Sequence, residues 1–479
     1  MPPKEEVDAD DEFSDVPELS LPSTLPSNYE MRVETDVLEP VVFSQEFARF
    51  TLQKKGFLSH QSKITFAVEP SDDNPTAFFP LNIGVNSLIS RVVLKAGAKT
   101  IAETEDFNHL QAYRSSFVSP EKNFEREQYL SGRVVNYASE YDLVANPDTN
   151  APTFGIKTGM ELDVRPNLNT RAILPFATID GTSQLTKDVV PTYAVYLGDL
   201  FDCFYAFDFP MYMIDDEVHI ELHFQSDLTN RVVLSSNAGN NPDIAYNIVR
   251  NECRMLYDTI FYDGDTMERH RQKKEKAGGV IFDYVDYRLS KRVADEPTYG
   301  AGIVQNVGGA GRIVEKVIYG INDGSQLDNP QEFLTNIYFS QAPELSAGAV
   351  KGEEASVNLF YNDRYEFPNN RDNLAVLFST TTTSEGIPPQ LPKSIYGNEG
   401  TGAITETAIE GRQVRQSFES SFFWNSIKLM RGERVNNQGI NFHFTYDGVA
   451  NPSDRTFYVW LALKKTGVIK GGRVDTYFQ

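Results

Sequence analysis

The strongest constraint on the fold is a repeated two-residue alternation. Runs such as "SKITFAVEP", "SLISRVVLKAG", "DEVHIELHF", "RMLYDTIFYDG", "GVIFDYVDYRL", "GRIVEKVIYGI", "ASVNLFYND", "INFHFTYDG" and "RTFYVWLALKK" follow one another from about residue 40 to the C-terminus. Each is rich in β-branched and aromatic residues, and most are bounded by Gly, Asn, Asp or Pro. A strand points successive side chains to opposite faces, so such runs suit strands with one buried face. Regular strand and turn punctuation with few helical patterns points to antiparallel sandwiches or barrels. The 479 residues suit two domains of roughly 200 residues or more, and 32 Phe and 23 Tyr supply large cores.

Two stretches break the pattern. Residues 103–132 show helical spacing around Phe107, Leu110, Gln111 and Arg114, and Pro120 divides them into two short helices. Residues 263–279, "DGDTMERHRQKKEKAGG", read as a charged helix with Asp265 or Thr266 as N-cap and Gly278–Gly279 as the stop. Both of its faces are polar, so a solvated connector is expected. Its five Lys and Arg stand out in an acidic chain, and contact with an acidic neighbour is the alternative to an exposed linker. Residues 1–28 mix acids with Pro and Ser and read as an acidic flexible tail, or as an arm ordered on a neighbouring subunit through Val16, Leu19 and Leu21. The expected organisation is therefore a tail (1–28), a first β domain (29–264), a helical linker (265–279) and a second β domain (280–479).

The halves echo one another. An aromatic run leading into a His-bearing strand occurs at 200–224 and again at 417–444, and "LISRVVLKAGAKTI" near 88 matches "GAGRIVEKVIYGIN" near 309. Two copies of one fold are expected.

The stretch most suggestive of chemistry is "VHIELHF", 218–224. As a strand it places His219, Glu221 and His223 on one face and Val218, Ile220, Leu222 and Phe224 on the other. Metal-binding barrels of the cupin type use an HxH pair, a nearby carboxylate and a distant His. Here the carboxylate falls between the histidines, and His60, His109, His270 and His443 lie in no companion pattern. One polar and one apolar face is the ordinary state of an antiparallel strand, so no metal ligand or cofactor is assigned. No GxSxG, HExxH, Walker loop or CxxC pair occurs, and "NVGGAGRIVEK" lacks the context of a phosphate loop. No catalytic residue is assigned.

Net charge is −23, against the basic surface that wrapping nucleic acid requires. Cys203 and Cys253 are too few for a disulfide framework and read as buried hydrophobes. No apolar run is long enough for a membrane span, and the N-terminus has no secretory pattern, so synthesis in the cytosol is expected.

The order of "SRVVLKAGAKTIAETEDFNHLQAYRSSFVSPEKNFEREQYLSGR", "YLGDLFDCFYAFDFPMYMIDDEVHIELHF" and "CRMLYDTIFYDGDTMERHRQKKEKAG" resembles the double jelly-roll major capsid proteins of polinton-like viruses and virophages, and more distantly those of nucleocytoplasmic large DNA viruses. "MLYDTIFYDGDTMERHR" is similar to that family's closing strand and basic segment. The resemblance covers roughly residues 30–479 and is weaker in the second half. It implies an all-β chain of two tandem eight-stranded jelly rolls, with short helices in loops and a charged helical linker. It also implies homotrimers forming pseudo-hexagonal capsomers of an icosahedral shell, penton and minor capsid proteins as partners, and indirect contact with any internal membrane. Residues 145–155, 235–243, 341–352 and 379–411 would serve as tower or intersubunit loops, and "VHIELHF" as a wall strand. The other readings are a cupin-like metal-dependent enzyme, a jelly-roll carbohydrate-binding protein, and a minor capsid or spike protein.

Overall fold

The computed structural model describes residues 32–70, 84–115, 192–205, 208–226, 246–294, 302–323, 355–368, 374–386, 424–429, 432–446 and 455–479, with the short pieces 77–78, 117, 130–131, 141–145, 152–156, 228 and 234–235. The expected tail, the second helix after Pro120 and most of the expected tower loops lie outside the described residues.

Eight strands build the first half: β1 (Arg32–Leu38), β2 (Phe47–Thr51), β3 (Lys63–Phe66), β4 (Ile89–Ala96), β5 (Lys99–Glu105), β6 (Tyr193–Tyr196), β7 (Val218–Phe224) and β8 (Arg254–Phe261). They form two antiparallel sheets, in the orders β1-β8-β3-β6 and β2-β7-β4-β5. Short strands at Val42–Ser44 and Phe57–Leu58 extend the two sheets. The second half supplies β9 (Val280–Ala294), β10 (Ile303–Gly308), β11 (Val314–Asp323), β12 (Ala355–Tyr361), β13 (Arg364–Tyr365), β14 (Trp424–Lys428), β15 (Ile440–Tyr446) and β16 (Arg455–Lys470). Its sheets run β9-β16-β11-β14 and β10-β15-β12-β13, and β17 (Arg473–Phe478) turns back along β16. Adding eight to every strand of the first half gives the second. The same connectivity is used twice.

This correspondence sorts the two sequence echoes. The strand at the end of 200–224 is β7, and its counterpart at the end of 417–444 is β15, an equivalent pair. The other echo fails: residues near 88 enter β4, whereas those near 309 enter β11, the counterpart of β3. Two half-buried strands following a turn share a hydrophobic pattern wherever they sit.

In each half the inward faces of the two sheets bury the alternating apolar residues, and one continuous core runs through both halves. Val218, Ile220 and Leu222 are 0% exposed and Phe224 is 4% exposed, which is the inward set expected from the alternation. Trp424 and Trp460 lie fully buried in the second half, 6.1 Å apart between ring centroids. A Cβ on Gly320 would lie 2.3 Å from the Trp424 ring, so only glycine leaves room for that indole on the neighbouring strand.

Among the described residues three helices of nine or more residues accompany the strands. α1 (Phe107–Ser115) is buried on most of its surface. It begins later than the helical spacing suggested, because Glu103–Glu105 continue β5. α2 (Gly264–Lys276) joins the halves, and its N-cap is Asp263 rather than Asp265 or Thr266. The Asp263 carboxylate accepts from the Thr266 backbone N–H at 2.8 Å and from its hydroxyl at 2.6 Å, satisfying a free donor of the first turn. No α2 residue is fully buried, yet the helix is not solvated all round. His270 packs edge-on against Phe57 at 5.6 Å between centroids, and its Nδ1 pairs with the Tyr212 hydroxyl at 2.6 Å. Gly279 follows at φ +109°, where a Cβ would meet the Ile469 carbonyl at 2.5 Å.

α3 (Leu374–Glu385) occupies the beginning of the segment 379–411, which was expected to be loop. A run of threonines is a poor helix former, but Thr381 is buried with its hydroxyl bonded to Asn425, and Glu385 pairs with Lys316 at 2.7 Å. Tertiary contacts override the local preference. The expected loop 145–155 likewise overlaps a two-stranded hairpin, Tyr141–Ala145 with Pro152–Ile156, and Leu234–Ser235 at the edge of 235–243 pairs with Ala77–Phe78.

The antiparallel order fixes which end each connection occupies. The links 67–88, 106–192 and 225–253 leave and re-enter at one end of the first half, and 324–354, 366–423 and 447–454 at the same end of the second. The opposite end carries the links 52–62, 97–98 and 197–217 of the first half and 309–313, 362–363 and 429–439 of the second, shorter on average, together with the start of β1 and helix α2.

Candidate functional site

The side chains singled out in the sequence lie on the outward face of β7. His219 Nε2 stands 3.4 Å from Glu221 Oε1, and the Lys95 ammonium of β4 donates to Glu221 Oε2 at 2.8 Å. Partial burial works against the charge on Glu221, but the hydrogen bond and charge of Lys95 outweigh it and hold the carboxyl below its ordinary value. His223 turns away and packs edge-on against Phe47 at 5.0 Å. Its pKa is lowered by burial and by the Arg91 guanidinium. Residues four apart on a strand are about 13 Å apart, so His219 and His223 cannot reach one ion, and Lys95 already holds the carboxylate between them. Among the described residues no group of three or more His, Cys, Asp or Glu is placed to hold a metal.

The remaining histidines serve separate local contacts. His60 pairs with Asp208 at 3.1 Å. His109 is buried and stacked on Tyr458 at 4.9 Å, and burial lowers its pKa to about 4. Burial on the first half does the same to His270. His443 lies on β15 beside Tyr365 at 5.5 Å. Both cysteines are buried; desolvation raises the Cys203 thiol well above its ordinary value and pushes Cys253 up to about 12. Neither is an activated nucleophile.

The most elaborate polar arrangement was not anticipated, and it lies where the two halves meet. β5, the edge of one sheet in the first half, runs alongside β9, the edge of a sheet in the second. The Glu103 backbone N–H donates to Asp286 Oδ1 at 3.1 Å, and the Tyr284 hydroxyl donates to the Ile101 carbonyl at 2.6 Å. The Lys465 ammonium donates to the same carbonyl and stands 3.4 Å from Asp286 Oδ2, while Arg288 reaches Asp286 at 3.2 Å. Asp286 is 1% exposed and Lys465 is 3% exposed. Burial lowers the Lys465 pKa, and the Asp286 charge opposes that shift. Around this cluster the Trp460 indole donates to the Glu105 carbonyl at 3.2 Å, Val285 N–H donates to Asp202 at 2.9 Å, and Asp215 N–H donates to the Gly472 carbonyl at 2.7 Å. Phe209 meets Phe282 edge-on at 5.2 Å.

The alternation did contain a signal for it. In "VIFDYVDYRL" the inward positions run Val280, Phe282, Tyr284, Asp286, and in "WLALKK" they run Leu461, Leu463, Lys465. A charge in an inward register position is either a partner of another or a misassigned strand.

A seam of this kind fixes the two halves against one another. It also completes the geometry that comparison with solved structures addresses. A chain of the Sputnik virophage structure superposes with a TM-score of 0.55 at 10% identity, over 96% of this chain and 92% of that one. The Faustovirus major capsid protein gives 0.51 at 10% identity, over 96% and 92%. VP54 of PBCV-1, fitted into a reconstruction of Sputnik, gives 0.50 at 11% identity, over 95% and 99%. The fold is a double jelly roll. No family model and no curated relative matches the sequence at a significant level. The halves are accordingly the first and second rolls, and "VHIELHF" is a wall strand of the first.

Proposed function

We propose that this double jelly roll is a major capsid protein, a structural subunit whose homotrimers form pseudo-hexagonal capsomers tiling the icosahedral shell of a DNA virus. The observation that carries the reading is the eight-strand order used twice and locked by a buried seam. Three such double units present six similar walls, which suits a six-cornered tile. The likeness to the Faustovirus major capsid protein supports it.

The described surface agrees with self-association. Val33, Val37, Val41 and Val42 are exposed along and just after the edge strand β1, where apolar area invites a partner. An obligate trimer is expected to bury well over ~2,000 Å² per pair of protomers. Long connections gathered at one end suit outward towers, and the short-linked end suits the base of the shell. Penton and minor capsid proteins are the further partners, the virion is the location, and no catalytic role is assigned. The tail would comprise residues 1–28, the first roll 29–264, the linker 265–279 and the second roll 280–479.

Light scattering behind a sizing column, with metal analysis on the same peak, tests this. A species near three times 53.9 kDa without bound metal is expected. A monomer carrying one equivalent of iron, manganese or zinc would overturn the reading.

A further inference from the structure

At the short-linked end of the molecule, the second half of α2 carries a concentration of positive charge that the seam does not use, although Asp215 and Asp216 lie against the neighbouring β16–β17 turn at Gly472. Five cations lie between Arg269 and Lys276 in the second half of α2. The one carboxylate among them, Glu275, accepts from the Gly471 N–H at 3.0 Å, which brings the β16–β17 turn and its exposed Lys470 and Arg473 beside the end of the helix. Among the described residues Arg269, Arg271, Lys274, Lys276, Lys470 and Arg473 form no ion pair. Cations near a helix C-terminus are favoured by its dipole, but that effect is small and is shared here by too many charges. Lys274 shows the crowding: burial and the neighbouring Lys273 both lower its pKa.

The chain itself supplies the complementary charge at that same end. β1 begins at Arg32, which pairs with Phe261 at the end of β8, and Phe261 precedes the N-cap of α2 by two residues. Arg32 therefore lies beside the start of that helix, and the segment that precedes it in sequence is acidic. It carries seven carboxylates between Glu5 and Asp15 and no basic residue among them. The residues between Asp15 and Arg32 span up to about 55 Å when extended, and α2 is only about 20 Å long. Tethering so near the patch gives the acidic run a high local concentration there.

We infer that the acidic segment Glu5–Asp15 docks, in its own subunit, on the basic patch formed by the second half of α2 and the Lys470–Arg473 turn. Its occupancy masks the patch from other polyanions. The inference does not rest on the capsid reading, since it concerns one chain and is read out without assembly.

Zero-length carbodiimide coupling of the full chain, followed by peptide mass mapping, tests it on a mixture of ordinary and isotope-labelled protein. Coupling of carboxylates in 5–15 to Lys273, Lys274, Lys276 or Lys470 is expected, within one isotope class, and lost at about 0.5 M salt, where screening is nearly complete. Coupling to lysines elsewhere, or between isotope classes, would overturn the inference. A second arm uses a chain whose seven acids are changed to Asn and Gln, with duplex DNA and phosphatidylglycerol vesicles as probes. That chain should bind polyanion at least about tenfold more tightly than the intact one, and K273Q/K274Q/K276Q on exposed or half-exposed positions should abolish the gain. If the intact chain already binds DNA or vesicles as tightly, the occupant is an external polyanion and the inference is wrong.

Discussion

Replacing Asp286 with Asn tests whether the seam between the rolls is held by a charge pair. The amide keeps an oxygen for the Glu103 N–H but removes the charge that Lys465 faces at 3.4 Å. Lys465 is 3% exposed, so its ammonium is left in the seam with the Ile101 carbonyl and against the like charge of Arg288, which reaches the same carboxylate. Breaking a buried pair on one side costs about 3–5 kcal/mol. An independent bound comes from the option of discharging the lysine. Each pH unit is worth about 1.4 kcal/mol and lysine ordinarily titrates near ~10.4, so a neutral Lys465 at pH 7 costs about 4.6 kcal/mol. The two figures agree, and the second carries a pH signature. In the variant the folded pKa of Lys465 lies further below its unfolded value, so the unfolded state binds more protons and stability rises with pH. The penalty should therefore shrink by up to about 1.4 kcal/mol per unit between pH 7 and pH 9. Urea unfolding at fixed protein concentration, with Asp286→Asn, Lys465→Met and the double variant, measures all of this. The double variant should recover at least about 2 kcal/mol relative to Asp286→Asn. A single variant within about 1 kcal/mol of the parent, or a penalty that does not change with pH, would refute the argument.

Three further outcomes follow from the same packing. Trp460→Ala should cost about 3–5 kcal/mol by urea unfolding, because the indole is fully buried and its N–H bonds across the seam. Gly320→Ala should destabilise by about 1–3 kcal/mol or more, since its Cβ enters the Trp424 ring; pairing it with Trp424→Phe should recover part of the loss in the same assay. His109, held at about 4 by burial, is neutral when folded and charges on unfolding below ~6.5. Stability should be full above that value and fall as pH drops toward 4, and a smaller fall in urea midpoint for His109→Gln would assign the effect.

Much of the architecture was readable because a half-buried strand writes its burial into every second residue. The inward set of β7 and the helix between the rolls came directly from that pattern and from polarity. What escaped was what the pattern does not encode. Asp263 rather than Asp265 or Thr266 caps α2, since cap choice depends on where the strand before it ends. The threonine-rich end of α3 is helical because of Asn425 and Lys316, both far away in sequence. The site reading suffered from the same limit. His219, Glu221 and His223 were conspicuous by residue type, yet Lys95 on the neighbouring strand decides what Glu221 does. The Asp286–Lys465 pair was less conspicuous, because each member looks like an ordinary surface charge until its register position is counted.

The strand order has a consequence for how the chain is made. In each roll the first strand pairs with the last: Arg32 meets Phe261, and Val280 meets Ile469. Neither central sheet can close before its final strand has left the ribosome, and contacts so distant in sequence form slowly. The first roll is complete at β8, with roughly 200 residues still to be synthesised, so it has on the order of tens of seconds to fold alone. The second roll closes only once β16 has been translated, so it is completed after the first. During that time β5 stands as an open edge awaiting β9. Nascent chains crowded on one messenger would be exposed to mispairing through that edge, and the closing of the seam ends the exposure.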